Sequence, residues 1–374
     1  MLAGARVVLP AEVLDPGWVE LAGGRIVATG AGAPPAGALG VRDLGGGWLV
    51  PGYVDLHMHG GGGHSVLDSA AEMAAAVAFH HRHGTVRTLV SATSAPVEAM
   101  SDVAAWAAEL VSRGRTPDGT VVGSHLEGPF LSGLRCGAQD PGALLAPAPD
   151  VLRRLLAAGR GTVRMVTLAP ELPGALELVT LLAAEGVLAA VGHTNASYEQ
   201  TAQAFGAGAR VLTHAYNAMP GIGHRAPGPV PAAMDHGSVV CELINDGEHV
   251  HPPAARLLFR GMPGRVALIT DAIAAAGAGD GEYRLGQRLV VVRGGLARLA
   301  GDGAIAGSTL TMDVAVRRAV RQLGMPVPAA VAAATRVPAD LLGLRCGRIA
   351  PGYAAELLVL DDDLAVRAVL APGE

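Results

Sequence analysis

Lysine is absent from the chain, and all 28 basic side chains are arginine. No Schiff-base lysine is therefore available, and no lysine can be carbamylated to bridge two metal ions. Aromatic residues make up 3% of the sequence, which removes the stacking platforms of single-strand nucleic-acid binders. The net charge of -5 leaves no basic footprint for nucleic acid. Cys136, Cys241 and Cys346 are far apart and odd in number, with neither paired zinc spacing nor a secreted disulfide pattern. No uninterrupted apolar run reaches membrane-spanning length, and no basic segment followed by an apolar one opens the chain. These absences predict a cytoplasmic protein with no nucleic-acid and no membrane partner.

What is present is a large apolar interior. Half of the 374 residues are hydrophobic and 16% are charged, the balance of a folded globular chain. The length accommodates a barrel of roughly 250 residues and a smaller module. The first fifty residues read as short strands ("ARVVLP", "GWVEL", "GRIVATG") split by Gly, Pro and Asp. From "YVDLHMHG" onward, apolar runs such as "TVRTLVSAT", "TVRMVTLAP" and "RVALITDA" alternate with helical stretches such as "AAEMAAAVAFHHRHG", "VEAMSDVAAWAAELVSRG" and "PDVLRRLLAAG". Repeated alternation predicts a parallel sheet. So many units, without a Gly-rich phosphate fingerprint, favour a closed barrel over an open dinucleotide fold. The tail "GRIAPGYAAELLVLDDDLAVRAVLAPGE" returns to short strands. The expected fold is an α/β, TIM-like (β/α)8 barrel over residues 51–344. A small β-sandwich domain formed from both chain termini, 1–50 and 345–374, completes it.

Five of the apolar runs end in residues of metal-ligand type. "YVDLHMHG" carries His57 and His59, "VVGSHLEG" carries Glu127, "LAAVGHT" carries His193, "RVLTHAYN" carries His214 and "VALITDA" carries Asp271. In a βα barrel the carboxyl ends of the strands meet at one mouth. Residues i and i+2 of a strand point the same way, so His57 and His59 both face that mouth. Neutral imidazoles and carboxylates together suit zinc and related divalent ions. A lone strand-end histidine is more often a hydrogen-bonded structural residue; five such ends in one predicted barrel favour metal binding. His80, His81 and His83 close a helix, where positive charge suits the dipole, and read as structural or surface residues. The glycines after His59 read as room for a loop near ligand.

These residues carry a resemblance. The order HxH, Glu, His, His, Asp looks like the amidohydrolase superfamily. The segments "PGYVDLHMHG", "SHLEGPFL", "GHTNAS", "THAYNAMPG", "DGEHV", "LITDAIAAAG" and "AGSTLTM" resemble, in order, those of the N-acetylglucosamine-6-phosphate deacetylase family. The likeness runs from about Val50 to the end of the chain. It implies a metal-dependent hydrolase that releases acetate from N-acetylglucosamine 6-phosphate, in amino-sugar catabolism and cell-wall recycling. By resemblance Glu127, His193 and His214 bind the principal ion, and His57 and His59 help to hold a second. One or two divalent ions per subunit are implied, zinc first, with iron, manganese or cobalt as alternatives. Asp271 matches the general base and acid. Asn217 and Ala218 match a sugar-phosphate segment, and His249 a sugar-hydroxyl contact. Arg225 matches a phosphate-binding arginine contributed in trans, implying a homodimer. Ala306, Gly307, Ser308 and Thr309 resemble a loop at the acetyl end.

The sequence departs from the family at "RCGAQDPGA", where Gln139, beside Ala138, stands in place of a histidine expected to polarise the carbonyl. Cys136 lies in the same loop and reads as an inert thiol. The change leaves room for another N-acyl sugar phosphate or an N-acyl amino acid as substrate. A sugar-phosphate-binding protein without catalysis is the reading from a different class, and the intact ligand set with Asp271 weighs against it.

Overall fold

The computed structural model describes residues 1–113 and 120–370. Its centre is an eight-stranded parallel sheet. The strands are β1 (Tyr53–Asp55), β2 (Thr85–Ala92), β3 (Val121–Glu127), β4 (Val163–Leu168), β5 (Leu188–Val191), β6 (Val211–Leu212), β7 (Val240–Ile244) and β8 (Val266–Ile269). Neighbours in sequence are neighbours in the sheet throughout. Strands buried on both faces need apolar runs rather than alternation, and all four residues of β8 are buried.

The ring closes between β1 and β8 just beyond the strands. Met58 and Ala272 form a parallel bridge, Asp271 N donates to His57 O at 2.9 Å, and His59 N donates to Ala272 O at 2.8 Å. Below this seam sits the buried Asp55 carboxylate. It accepts from His57 N and Thr270 N, both at 3.2 Å, and from Thr270 Oγ1. The seam therefore carries His57, His59 and Asp271 on one hydrogen-bonded frame.

Helices wrap the barrel: α1 (Ala70–Arg82), α2 (Val97–Ser112), α3 (Pro149–Ala158), α4 (Ala175–Ala184), α5 (Tyr198–Ala207), α6 (Pro229–Asp235), α7 (Pro252–Gly261) and α8 (Met312–Arg321). Their starts follow local chemistry. Ser69 caps α1 by accepting from Glu72 N, and Ser197 with Gln200 forms a reciprocal capping box on α5.

Strands from both termini share one seven-stranded sheet, in which Trp48–Pro51 pairs with Leu357–Leu360. Its apolar cluster, including Val19, Ile26, Leu49 and Leu357, is separate from the barrel core. A further three-stranded antiparallel sheet, Gly281–Leu285, Arg288–Arg293 and Leu296–Leu299, is inserted between β8 and α8. The sequence patterns did not predict this insert, which has its own small core of Val290, Val292, Leu299 and Ala306.

The glycines after His59 serve packing rather than ligand access. A Cβ on Gly60 would lie 2.5 Å from His64 O and 2.7 Å from Ala274 N, and one on Gly61 would meet the His80 and Phe79 rings. His80 is buried, and its Nε2 lies 2.9 Å from Gly60 O, so its role is structural.

If Asp55 holds the seam, Asp55→Ala leaves buried donors of Thr270 and His57 without their partner. The expected cost is about 2–4 kcal/mol of unfolding free energy, read from urea denaturation. A midpoint equal to that of the parent chain would show that other contacts hold the seam.

Candidate metal centre and reaction pocket

Each predicted ligand stands at the carboxyl end of its strand. Glu127 is the last residue of β3, while His193, His214 and Asp271 each lie two residues beyond β5, β6 and β8. These last three share an unusual backbone, with φ of 44°, 30° and 48°. Left-handed conformations are costly for residues with a Cβ and concentrate at functional sites. Here the turn rotates each side chain off its strand and into the mouth.

The side chains converge. Glu127 Oε1 lies 3.0 Å from both His193 Nε2 and His214 Nε2, which are 3.1 Å from each other. Glu127 Oε2 lies 3.3 Å from His59 Nε2 and 3.5 Å from His57 Nε2. Those two nitrogens are 3.0 Å apart, and Asp271 Oδ1 is 3.3 Å from His59 Nε2 and 3.6 Å from His57 Nε2. Glu127 is thus the common member of two potential ligand groups, one with His57 and His59 and one with His193 and His214. All six side chains are buried.

The second ring nitrogens fix what the first can offer. His193 Nδ1 faces Arg135 O at 3.0 Å and His59 Nδ1 faces Ser91 O at 2.8 Å. A carbonyl only accepts, so both Nδ1 atoms carry hydrogen. His57 Nδ1 faces the Glu242 carboxylate at 3.3 Å, which demands the same. In the neutral rings the Nε2 lone pairs therefore point at carboxylate oxygens, an arrangement that needs positive charge between them. Protons or a cation can supply it. Burial opposes a charge on His57, yet the Glu127 and Asp271 carboxylates hold its pKa well above the ordinary value. For His59 burial is likewise outweighed, by Asp271 and Glu127, and its pKa is pushed up to about 9. Burial also opposes ionisation of Glu127 and Asp271, and the neighbouring imidazoles overcome it to hold both carboxyls below their usual range.

A divalent cation fits the same donors. Around a tetrahedral zinc with bonds of about 2.0–2.1 Å, ligand atoms lie roughly 3.3 Å apart. The Glu127, His193 and His214 triangle, with sides of 3.0 to 3.1 Å, closes slightly inside that spacing.

Two further residues brace the centre. Gln139 Nε2 donates to Glu127 Oε2 at 2.7 Å, and its Oε1 accepts from Ser94 N at 2.7 Å. The glutamine therefore orients Glu127. Glu242, fully buried in β7, faces His57 Nδ1 through the same oxygen that accepts from His214 N at 3.3 Å. Sequence reasoning missed Glu242; the signal is a carboxylate inside the apolar run "VVCELI".

Above the centre opens a cavity of about 290 Å³, lined by His59, Glu127, His193, His214, Asp271, Ala138, Gln139, Asn217, Ala218, His249 and Gly307 together with Gly137, Ile244, Leu285, Ala304 and Ile305. Leu285, Ala304 and Ile305 come from the unpredicted insert and its exit. His57 is buried beneath the cavity, and Arg225 is exposed on the loop after β6. Ala306 is buried in the insert's core, Ser308 Oγ donates to Thr270 O, and Thr309 Oγ1 donates to Gly295 O at 2.7 Å. These last four do not line the cavity.

A barrel whose strand ends bring four histidines and two carboxylates to one buried point is the architecture of metal-dependent hydrolases. The amidohydrolase family model matches residues 48–372, and the chain belongs to that family. It is 38% identical over 329 residues to the N-acetylgalactosamine-6-phosphate deacetylase of Escherichia coli O157:H7, covering 87% of each chain. Identity to the N-acetylglucosamine-6-phosphate deacetylase of Bos taurus is 36% over 350 residues, covering 89% of this chain and 84% of that one. Among solved structures, a mutant N-acetyl-D-glucosamine-6-phosphate deacetylase from Mycobacterium smegmatis, in complex with N-acetyl-D-glucosamine-6-phosphate, superposes with a TM-score of 0.95 at 46% identity. That match covers 100% of this chain and 98% of the other.

Because Glu242 receives the His57 N–H, Glu242→Leu is expected to weaken divalent-ion binding by about 10–100-fold, read by chelator competition on the purified protein. Glu242→Gln keeps an acceptor oxygen and is expected to lose far less. Equal losses in both variants would remove the hydrogen bond as the cause.

Proposed function

We propose that the protein hydrolyses N-acetylglucosamine 6-phosphate to glucosamine 6-phosphate and acetate, with a divalent ion held by Glu127, His193 and His214. The observation that carries the reading is the convergence of four imidazole Nε2 atoms on a shared carboxylate, beside Asp271 and under a cavity open to small molecules. Relatives with that activity in their names, matched over most of the chain, support the substrate. When bound, the ion polarises the amide carbonyl and lowers the pKa of an attacking water.

The chain's own groups do the rest. Asp271, ionised and aimed at the same point as His59, takes the water's proton and returns it to the leaving amine. One carboxylate serves both steps because the proton moves between atoms held around one centre. Gln139 fixes Glu127, and its remaining amide N–H is assigned to the substrate's amide oxygen. Asn217, Ala218 and His249 line the side assigned to the sugar and its phosphate. Zinc is the first choice of metal; iron, manganese and cobalt also suit mixed His and carboxylate sites. His57 and His59 offer a second ion position with Glu127.

Arg225, exposed in this chain, is assigned to the phosphate of a neighbouring subunit in a homodimer. Residues 1–50 and 345–374 are proposed as one domain, supported by their separate core, with 51–344 as the barrel domain. Among the described residues no helix is long and apolar enough to cross a membrane, and no disulfide joins Cys136, Cys241 and Cys346. Cysteines not joined in disulfides are in keeping with the reducing, cytoplasmic compartment proposed here. A second reading, N-acetylgalactosamine 6-phosphate as substrate, is favoured by the 38% identity to a deacetylase named for that sugar. Comparing the two epimers in one acetate-release assay decides between them.

Asp271→Asn should retain the metal in elemental analysis while turnover falls by about 10²–10⁴. Near-normal acetate release from that variant would show that another group is the base.

His249 gives a pH prediction. Burial favours its neutral form, but the Asp246 carboxylate, 2.6 Å from Nδ1, raises its pKa above the ordinary 6.5. Its charge therefore persists above pH 6.5 and is lost as pH rises through the raised value. KM should increase over that interval, and Asp246→Asn should move the increase to lower pH. An unchanged KM profile in the variant would exclude the pair from sugar binding.

A further inference from the structure

Beside the reaction pocket lies a second cavity of about 340 Å³, within the size range of small-ligand sites, roughly 300–1,000 Å³. It fills the space between the end of β2, the first turns of α2 and the hairpin turn at Leu285–Arg288 of the insert. Its buried lining combines apolar Ala92, Met100 and Val103 with polar Thr93, Ser94 and Gln139, and Asp68, Asp140 and Arg288 stand at its rim. The two cavities share three wall residues, Ala138, Gln139 and Leu285. Gln139 is the residue whose amide touches Glu127 at 2.7 Å, so the partition begins at the reacting centre.

We propose that this second cavity is an acyl subsite, through which the enzyme accepts N-acyl groups longer than acetyl. The inference rests on the deacylase reading above and extends it to the substrate's other end. A secondary amide is trans, so the acyl chain and the sugar leave the C–N bond in opposite directions. Asn217 and Ala218 follow β6, whereas the second cavity is floored by β2 and α2. In the eight-strand ring these strands are four positions apart, on opposite sides of the mouth. A sugar phosphate directed toward Asn217 and Ala218 therefore sends its acyl chain toward the wall of Ala138 and Leu285. Both are apolar, and the third shared wall residue, Gln139, already has its side-chain amide bonded to Glu127 Oε2 and Ser94 N, so a passing methylene strands neither of those two bonds. Each methylene buried beyond them contributes up to about fourfold in binding.

The reaction is unchanged in kind: water's oxygen bonds to the carbonyl carbon, the C–N bond breaks, the amine takes the proton, and a longer carboxylate replaces acetate.

The test uses metal-loaded enzyme and three substrates, the N-acetyl, N-butanoyl and N-hexanoyl derivatives of glucosamine 6-phosphate, with free amine as the readout. The expected kcat/KM for the longer chains lies within about tenfold of that for acetyl. Ala99→Trp from α2 and Gln287→Trp from the hairpin turn fill the cavity from opposite walls. Both positions are exposed and outside the reaction pocket, so if one variant misfolds by circular dichroism the other still reports. Each is expected to cut N-hexanoyl hydrolysis more than about tenfold while N-acetyl hydrolysis changes less than about twofold. Acetyl turnover with longer chains more than about a hundredfold slower, or an unchanged hexanoyl-to-acetyl ratio in a folded tryptophan variant, overturns the subsite. Absence of turnover with all three substrates overturns the deacylase reading and the subsite with it.

Discussion

Glu127 is the point on which the molecule turns. Its two oxygens meet the Nε2 atoms of His57, His59, His193 and His214 and the amide of Gln139. A carboxylate so deeply buried is costly unless charge and hydrogen bonds compensate. Lone pairs aimed at it from several sides raise that demand. The centre is stable only with positive charge inside it, whether protons on the imidazoles or a cation. Protons give a set of ion pairs; a divalent ion gives the same electrostatic balance and a Lewis acid besides.

The fold supplies this convergence at some local cost. Three of the six groups leave their strands through left-handed backbone, at His193, His214 and Asp271. The strain is held by the surrounding frame, including the bonds from Asp271 N to His57 O and from His214 N to Glu242. Glu242 joins the two ligand groups from below: one oxygen serves the His57 ring and the His214 backbone. Orientation of these side chains is therefore built into the barrel interior.

Much of this was legible in the sequence, for a physical reason. Parallel strands buried on both faces must be apolar, so a His, Glu or Asp at the end of such a run stands out. That contrast marked five strand ends, and the six residues they carry lie within reach of one another in the structure. Glu242 escaped because it lies within its strand rather than at its end, where the same contrast reads as an irregularity. The insert at Gly281–Leu299 escaped because its strands are short and partly exposed, with a weak period. Its contribution of Leu285 to the pocket depends on a long-range packing choice that no local pattern encodes. Arg225 illustrates a different limit, since its proposed role depends on a second copy of the chain.

The most direct test is anomalous X-ray diffraction from crystals of the metal-loaded protein, recorded on both sides of the metal's absorption edge. A peak bonded to Glu127, His193 and His214 together is the predicted result. A metal peak elsewhere, with those three side chains turned away from one another, would contradict the account.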